Sequence, residues 1–187
     1  MDTRQFAGLD RSSAREVIAK VGATLKAFRT APVPTAILVE GYLLGAGFEM
    51  ALAADFRVAV RGAKVGLPET KVGIPSVVDA ALLQNYVGLS LAKEMVLIGD
   101  IYPVEDLPGF VNRYAEPGQL VEVAEKLLAP LAEYTPVVMK AQKELNEMWL
   151  NTGLQDSVER SIDVFADVFV DPSTSEAVHK YNARKKK

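Results

Sequence analysis

Two glutamates and one glycine-rich turn are the parts of this chain best suited to chemistry. Glu49 closes the stretch Gly41-Tyr42-Leu43-Leu44-Gly45-Ala46-Gly47-Phe48-Glu49, and Glu69 follows Leu67-Pro68. Ahead of the glycines, Thr35-Ala36-Ile37-Leu38-Val39 is a short β-branched apolar run that predicts a buried strand. Behind them, Met50-Ala51-Leu52-Ala53-Ala54 is made of good helix formers. A strand passing through small residues into a helix leaves the first helical N–H groups pointing outward, where the helix dipole favours negative charge. Glu49 is three residues beyond Ala46, so both share a helix face about 5–6 Å apart. Backbone donors with a carboxylate one turn deeper are suited to making and quenching an enolate.

The elements that must hold these groups read as alternating strands and helices. Residues 1–10 read as irregular. Val17, Ile18, Val21, Leu25 and Phe28 recur at helical spacing from Ser13 to Phe28, with Ser12 or Ser13 as cap and Glu16 completing a capping box from Ser13. Ala31-Pro32-Val33-Pro34 ends that helix. Phe56-Arg57-Val58-Ala59-Val60 predicts a second strand, Arg61 to Lys64 a turn, and Val65 to Glu69 an extended segment. Ser76 and Asp79 have capping-box spacing for an apolar helix running to about Val87. A further helix spans Ser90 to about Ile98, and Phe110 to Tyr114 reads as a late strand.

Beyond Gln119 the pattern is helical, with three apolar stripes. Leu120, Val123, Ala124, Leu127, Leu128 and Leu131 form the first; Val138, Ala141, Leu145, Met148 and Trp149 the second; Leu154, Val158, Ile162, Phe165 and Phe169 the third. The expected class is therefore α/β with an all-helical C-terminal region. The division is expected near Tyr134-Thr135-Pro136, giving a core over 1–134 and a helical region over 135–187.

Composition excludes several kinds of protein. The chain has 187 residues, 49% hydrophobic and 24% charged, enough for a sizeable core and against disorder. A net charge of −3 argues against nucleic acid as a partner. There are no cysteines, so disulfide and thiolate chemistry is absent, and the single histidine, His179, argues against a metal centre or a Ser-His-Asp triad. The most apolar stretch, Thr35 to Ala54, is broken by Glu40, Glu49 and three glycines, which suits a core rather than a membrane span. Met1 to Gln5 carry no apolar secretory segment, so a cytoplasmic location is expected, with an organellar one left open.

Taken in order, several motifs resemble the enoyl-CoA hydratase/isomerase (crotonase) superfamily. They are Pro32-Val33-Pro34, Gly41 to Glu49, Ala53-Ala54-Asp55-Phe56-Arg57-Val58-Ala59, Gly66-Leu67-Pro68-Glu69 through Val72-Gly73-Ile74-Pro75, Ala92 to Asp100, and Val111-Asn112-Arg113. The resemblance runs from about Phe6 to the end. It implies a crotonase-like ββα spiral with C-terminal helices that build homotrimers or hexamers and cover the active site, an acyl-CoA substrate, and no metal or redox cofactor. The opening strands, about the first quarter of a usual member, would precede Phe6, so the chain reads as an N-terminally short member.

By motif position, the resemblance places the oxyanion-hole N–H donors at Ala46 and at Leu9 of Ala7-Gly8-Leu9-Asp10. It puts the catalytic pair at Glu49 and Glu69, with Ala7, Gly8, Gly45, Gly47 and Pro75 against the substrate. Ser76-Val77-Val78-Asp79 replaces the family's usual glycine-rich stretch after Pro75, and Ala46 replaces a common glycine. Two carboxylates can hold one water, one taking its proton while the other delivers a proton to carbon. That matches hydration of a 2-enoyl thioester, with an enolate worth about 3–4 kcal/mol per backbone donor. The alternatives are a double-bond isomerase, or a non-catalytic binding or assembly protein on the same fold.

Other groups have plainer readings. A surface glutamate is the commoner case, but in the apolar, small-residue segment around Glu49 a charge is costly without a task. Asp79 reads as a cap, and Asp10 as a cap or loop anchor. Asp55 and Arg57 read as a structural pair, and Tyr42 and Phe48 as core or pocket wall. His179, Lys180, Arg184 and the terminal lysines read as a solvated basic end, with contact to CoA phosphates as the functional alternative.

Overall fold

The computed structural model describes residues 3–184. Contacts divide the chain into two compact units. One takes in the chain up to Phe28 together with Thr35–Leu127; the other takes in Arg29–Pro34 and the chain from Leu128 onward. The division thus falls before Tyr134, and the Arg29–Pro34 segment belongs with the C-terminal helices. An ion pair between Arg29 Nε and Glu147 Oε1 at 3.1 Å helps to tie it there.

The first unit opens with a 3-10 turn, Thr3–Phe6, followed by α1, Arg11–Arg29. The cap of α1 is Asp10, not Ser12 or Ser13. The Ser13 N–H donates to Asp10 Oδ1 at 2.8 Å and the Asp10 N–H donates to Ser13 Oγ at 2.9 Å, a reciprocal box that starts earlier. Glu16, expected to complete the box, pairs with Lys20 one turn on.

The strands then alternate between two sheets. β1 (Ala36–Val39) and β3 (Phe56–Val60) pair in parallel, Ala36 opposite Phe56, and β6 (Arg113–Ala115) adds in parallel to β3. β2 (Tyr42–Leu44) pairs in parallel with β4 (Lys64–Gly66), Tyr42 opposite Lys64, and β5 (Ile101–Pro103) adds antiparallel to β4. After β1 and β2 comes α2 (Ala46–Ala53); after β3 and β4 comes α3 (Leu83–Ile98). Each ββα turn lays one strand in each sheet and buries its helix against them. Two of these strands are missing from the sequence reading. β2 sits within the glycine-rich stretch, and β5 within three residues that carry no period of their own. α3 bends at Gly88, whose φ of 76° is left-handed, which matches two helices flanking a break.

Phe48, Leu52, Leu67, Leu83, Met95, Leu107 and Phe110 form the main core, with Phe48 and Phe110 edge to face at 5.3 Å. Arg57 is buried there as a C-terminal cap for α2. It donates to the carbonyls of Ala51 at 3.0 Å, Ala54 at 2.8 Å and Phe110 at 2.6 Å, and lies over the Tyr86 ring. Arg57 also donates to the Asp55 carbonyl at 3.2 Å, as expected of a structural pair, and the Asp55 carboxylate accepts the Thr35 N–H at 2.7 Å, locking the start of β1 to β3. α4 (Leu120–Leu128) packs Leu120 and Ala124 onto Val58 and Ala115.

The second unit holds α5 (Pro136–Asn151), α6 (Leu154–Asp167) and α7 (Pro172–Arg184). Trp149 Nε1 donates to Ser161 Oγ at 3.1 Å between α5 and α6. Arg184 pairs with Glu133 at 3.6 Å; the rest of the basic end, Lys185 to Lys187, lies outside the described residues. Among the described residues no helix is long and apolar enough to cross a membrane.

Candidate active site

The site forms where β2 turns into α2. Gly45 sits just before the helix with φ 57° and ψ −131°, a conformation that favours glycine, and its N–H donates to the Gly66 carbonyl at 3.0 Å. A Cβ on Gly45 would lie 2.7 Å from Glu69 Oε1, so glycine is also required by the carboxylate packed over the turn. Ala46 is the first residue of α2, so its N–H has no partner within the helix. The Glu49 N–H closes the first turn onto the Gly45 carbonyl at 2.9 Å, which places the Glu49 side chain beneath the helix start.

Glu49 is 4% exposed, and Oε1 accepts the Ala80 N–H at 3.1 Å. Burial pushes its carboxyl up to about 7; the Ala80 donor opposes that rise, and the charges of Glu69 and Asp79 add to it. Glu69 lies in a 3-10 turn, Pro68–Val72, which Pro68 starts, and its Oε2 accepts the Ser76 hydroxyl at 2.9 Å. Both glutamates line one cavity of about 210 Å³, together with Gly45, Ala46 and Pro75. The rest of the lining is apolar and includes Phe6, Ile18, Val21, Leu44, Val72 and Val77.

The structure thus brings together Gly45, Ala46, Glu49, Glu69 and Pro75, and it separates others. Gly47 packs against Leu43 instead of facing the cavity. Among the described residues Ala7, Gly8 and Leu9 are not part of the cavity lining, and the Leu9 N–H donates to the Phe6 carbonyl at 3.2 Å. Phe48 is core as read, whereas Tyr42 is neither core nor wall: it is 73% exposed, because β2 turns that face to solvent.

The reading of Ser76 and Asp79 as a capping box is overturned. The segment before α3 is a 3-10 turn, Val78–Leu82, with Val77 at its cap position and no side-chain cap bond. Ser76 is drawn to Glu69 instead, and Asp79 is buried near Glu49. The Ser76 hydroxyl and the Ala80 N–H are the two donors to the glutamate pair that the sequence reading missed. Only the fold of 73–80 back over the pair brings them there; the polar replacement after Pro75 was the one visible signal.

Two glutamates on one small cavity, one of them raised to about 7 by burial, beside a helix N-terminus, can move protons on both sides of a developing enolate. The model of the "Enoyl-CoA hydratase/isomerase" family matches residues 1–187. The chain belongs to this family. It is 34% identical over 134 residues to the short-chain-enoyl-CoA hydratase of Clostridioides difficile, covering 70% of this chain and 83% of that one. It is 30% identical over 161 residues to the human mitochondrial methylglutaconyl-CoA hydratase, covering 82% of this chain and 46% of the relative. The solved structure of Pseudomonas aeruginosa DspI superposes with a TM-score of 0.91 at 28% identity, over 98% of this chain and 71% of that one. The fold of this family member is the crotonase-like ββα spiral expected from the motifs. The chain spans about half the length of most of the curated relatives it matches.

Proposed function

We propose that this chain adds water across the double bond of a short 2-enoyl-CoA thioester. The observation that carries the reading is the carboxylate pair on one cavity, with burial raising the Glu49 carboxyl toward the acid's role and Glu69 bonded to Ser76 through Oε2. A water between them gives a proton to Glu69 as its oxygen bonds to the β-carbon. The double-bond electrons move to the thioester oxygen, and the enolate collapses by taking the Glu49 proton at the α-carbon. The pair begins and ends with one proton, which passes from Glu69 back to Glu49 after product leaves.

The Ala46 N–H supports the enolate oxygen. The second donor, Leu9, joins it by exchanging its 3.2 Å bond to Phe6, at the long end for such bonds, for the substrate oxygen. The small apolar cavity supports a short acyl group, in keeping with the name of the Clostridioides difficile relative. The exposed apolar stripe of α6 supports a homo-oligomer, a trimer or hexamer, in solution.

The test uses 2-butenoyl-CoA as substrate and follows loss of the conjugated thioester absorbance. Glu49→Gln is expected to lower kcat about a thousandfold. Full activity in that variant would sink the mechanism. Product formed in heavy-oxygen water must carry the label; unlabelled product with a moved double bond would instead establish an isomerase.

A further inference from the structure

One short segment reaches both carboxylates. At its start the Ser76 hydroxyl donates to Glu69 Oε2 at 2.9 Å, and at its end the Ala80 N–H donates to Glu49 Oε1 at 3.1 Å. Between them Val78 has φ 44°, a left-handed conformation that a β-branched residue takes only when its surroundings impose it. α1 packs closely there: a Cβ at Gly22 would come within 3.2 Å of Val78 Cγ1, so only glycine leaves the valine its place.

Glu69 is also located at its other oxygen. Oε1 lies over Gly45, within 2.7 Å of the place a Cβ would occupy, and both residues line the cavity. A carboxylate on three rotatable bonds and a 3-10 turn has several orientations open to it. The Ser76 bond selects the one in which Oε2 is engaged and Oε1 lies over Gly45.

We propose that Ser76 is a positioning residue for the reaction, its hydroxyl fixing the Glu69 carboxylate so that Oε1 alone is presented to the water. The proposal rests on the hydration reading above and adds to it a residue that touches neither water nor thioester. Its effect lies in the chemical step, because it changes where the proton acceptor sits and leaves the apolar wall intact.

The experiment measures kcat and KM for 2-butenoyl-CoA, with thermal melting, on the full chain. Ser76→Ala is expected to lower kcat about 10- to 100-fold, the worth of one hydrogen bond to a charged group, with KM within about twofold and melting unchanged. Ser76→Thr keeps the hydroxyl and retains most of the rate. Ser76→Cys, close in volume but a poor donor, falls with the alanine variant and gives the same answer should alanine fail to fold. In a Glu69→Ala background, Ser76→Ala has no further effect, since its partner is gone. Wild-type kcat in the alanine and cysteine variants, a rise in KM alone, or an equal loss in the Glu69→Ala background overturns the proposal while leaving hydration standing. A wild-type chain that does not hydrate overturns both.

Discussion

The two units place their apolar residues in opposite ways. In the first, α2 is only eight residues long, yet Phe48, Glu49, Ala51, Leu52 and Ala53 are all buried. In the second, α6 runs for 14 residues and buries only Ser157, while Leu154 is 83% and Phe165 67% exposed. Their concavities differ in the same sense. The first unit holds a cavity of about 210 Å³ with two carboxylates; the second has a groove of about 690 Å³ lined by Trp149, Leu154, Val158, Ile162 and Phe165 among others, with no titratable side chain. Size alone therefore does not mark chemistry here. What distinguishes the small cavity is that two carboxylates and a helix start converge on an otherwise apolar lining.

The contrast can be broken by substitution, and the largest effect is expected at Phe48. Phe48→Ala removes a fully buried ring from the main core and should cost about 4 kcal/mol in denaturant unfolding, whereas Phe165→Ala should leave the chain's own stability nearly unchanged. Equal costs would mean that the α6 stripe is already covered in solution, by a second copy, and a concentration dependence of the midpoint would show it.

Next in size is the charge buried at Glu49. Its carboxyl lies at 4.5 in its ordinary setting and about 7 in the folded chain. A raised carboxyl contributes stability that is fully present below about pH 4.5 and is lost as pH rises through about 7. Glu49→Gln has no charge to bury, so it should exceed wild type by about 3 kcal/mol around pH 8 and by little at pH 4. The same variant that loses activity should thus gain stability; a parallel offset at both pH values would rule out the buried charge as its cause.

Gly45→Ala comes third. The new Cβ meets Glu69 Oε1 and must adopt φ 57°, which should cost about 1–2 kcal/mol in stability and displace Glu69 enough to lower kcat more than tenfold. Activity near wild type would mean that the turn and the glutamate can part without consequence. The smallest effect is expected at Ile162→Ser, on the exposed face of α6. Unfolding of the dissociated chain should change by less than about 0.5 kcal/mol, and a larger loss would mean that the stripe is packed within the chain.

Local pattern was enough for much of this protein. The β-branched runs of β1 and β3, the helical period of α1, and the glycines before Glu49 each carry their own signal within a few residues, because strand pleat, helix period and left-handed turns are local geometry. Glu49 and Glu69, the pair proposed to act on substrate, stood out as positions in the family's motifs, and the fold sets both on one cavity. What the fold alone decided were matters of distance between remote segments. Ser76 and Asp79 carry capping spacing, yet the chain returns over α2, and the half-buried Glu69 carboxylate draws the Ser76 hydroxyl away from the helix. Ala80 reaches Glu49 through a backbone N–H, a group every residue but proline has and no pattern can single out. Whether an apolar stripe is core or surface was likewise undecided: the α4 stripe is covered by β3 and β6, while the α6 stripe has the same period and remains exposed. Amphipathic period states that a face wants cover; only tertiary contacts state whether the chain supplies it.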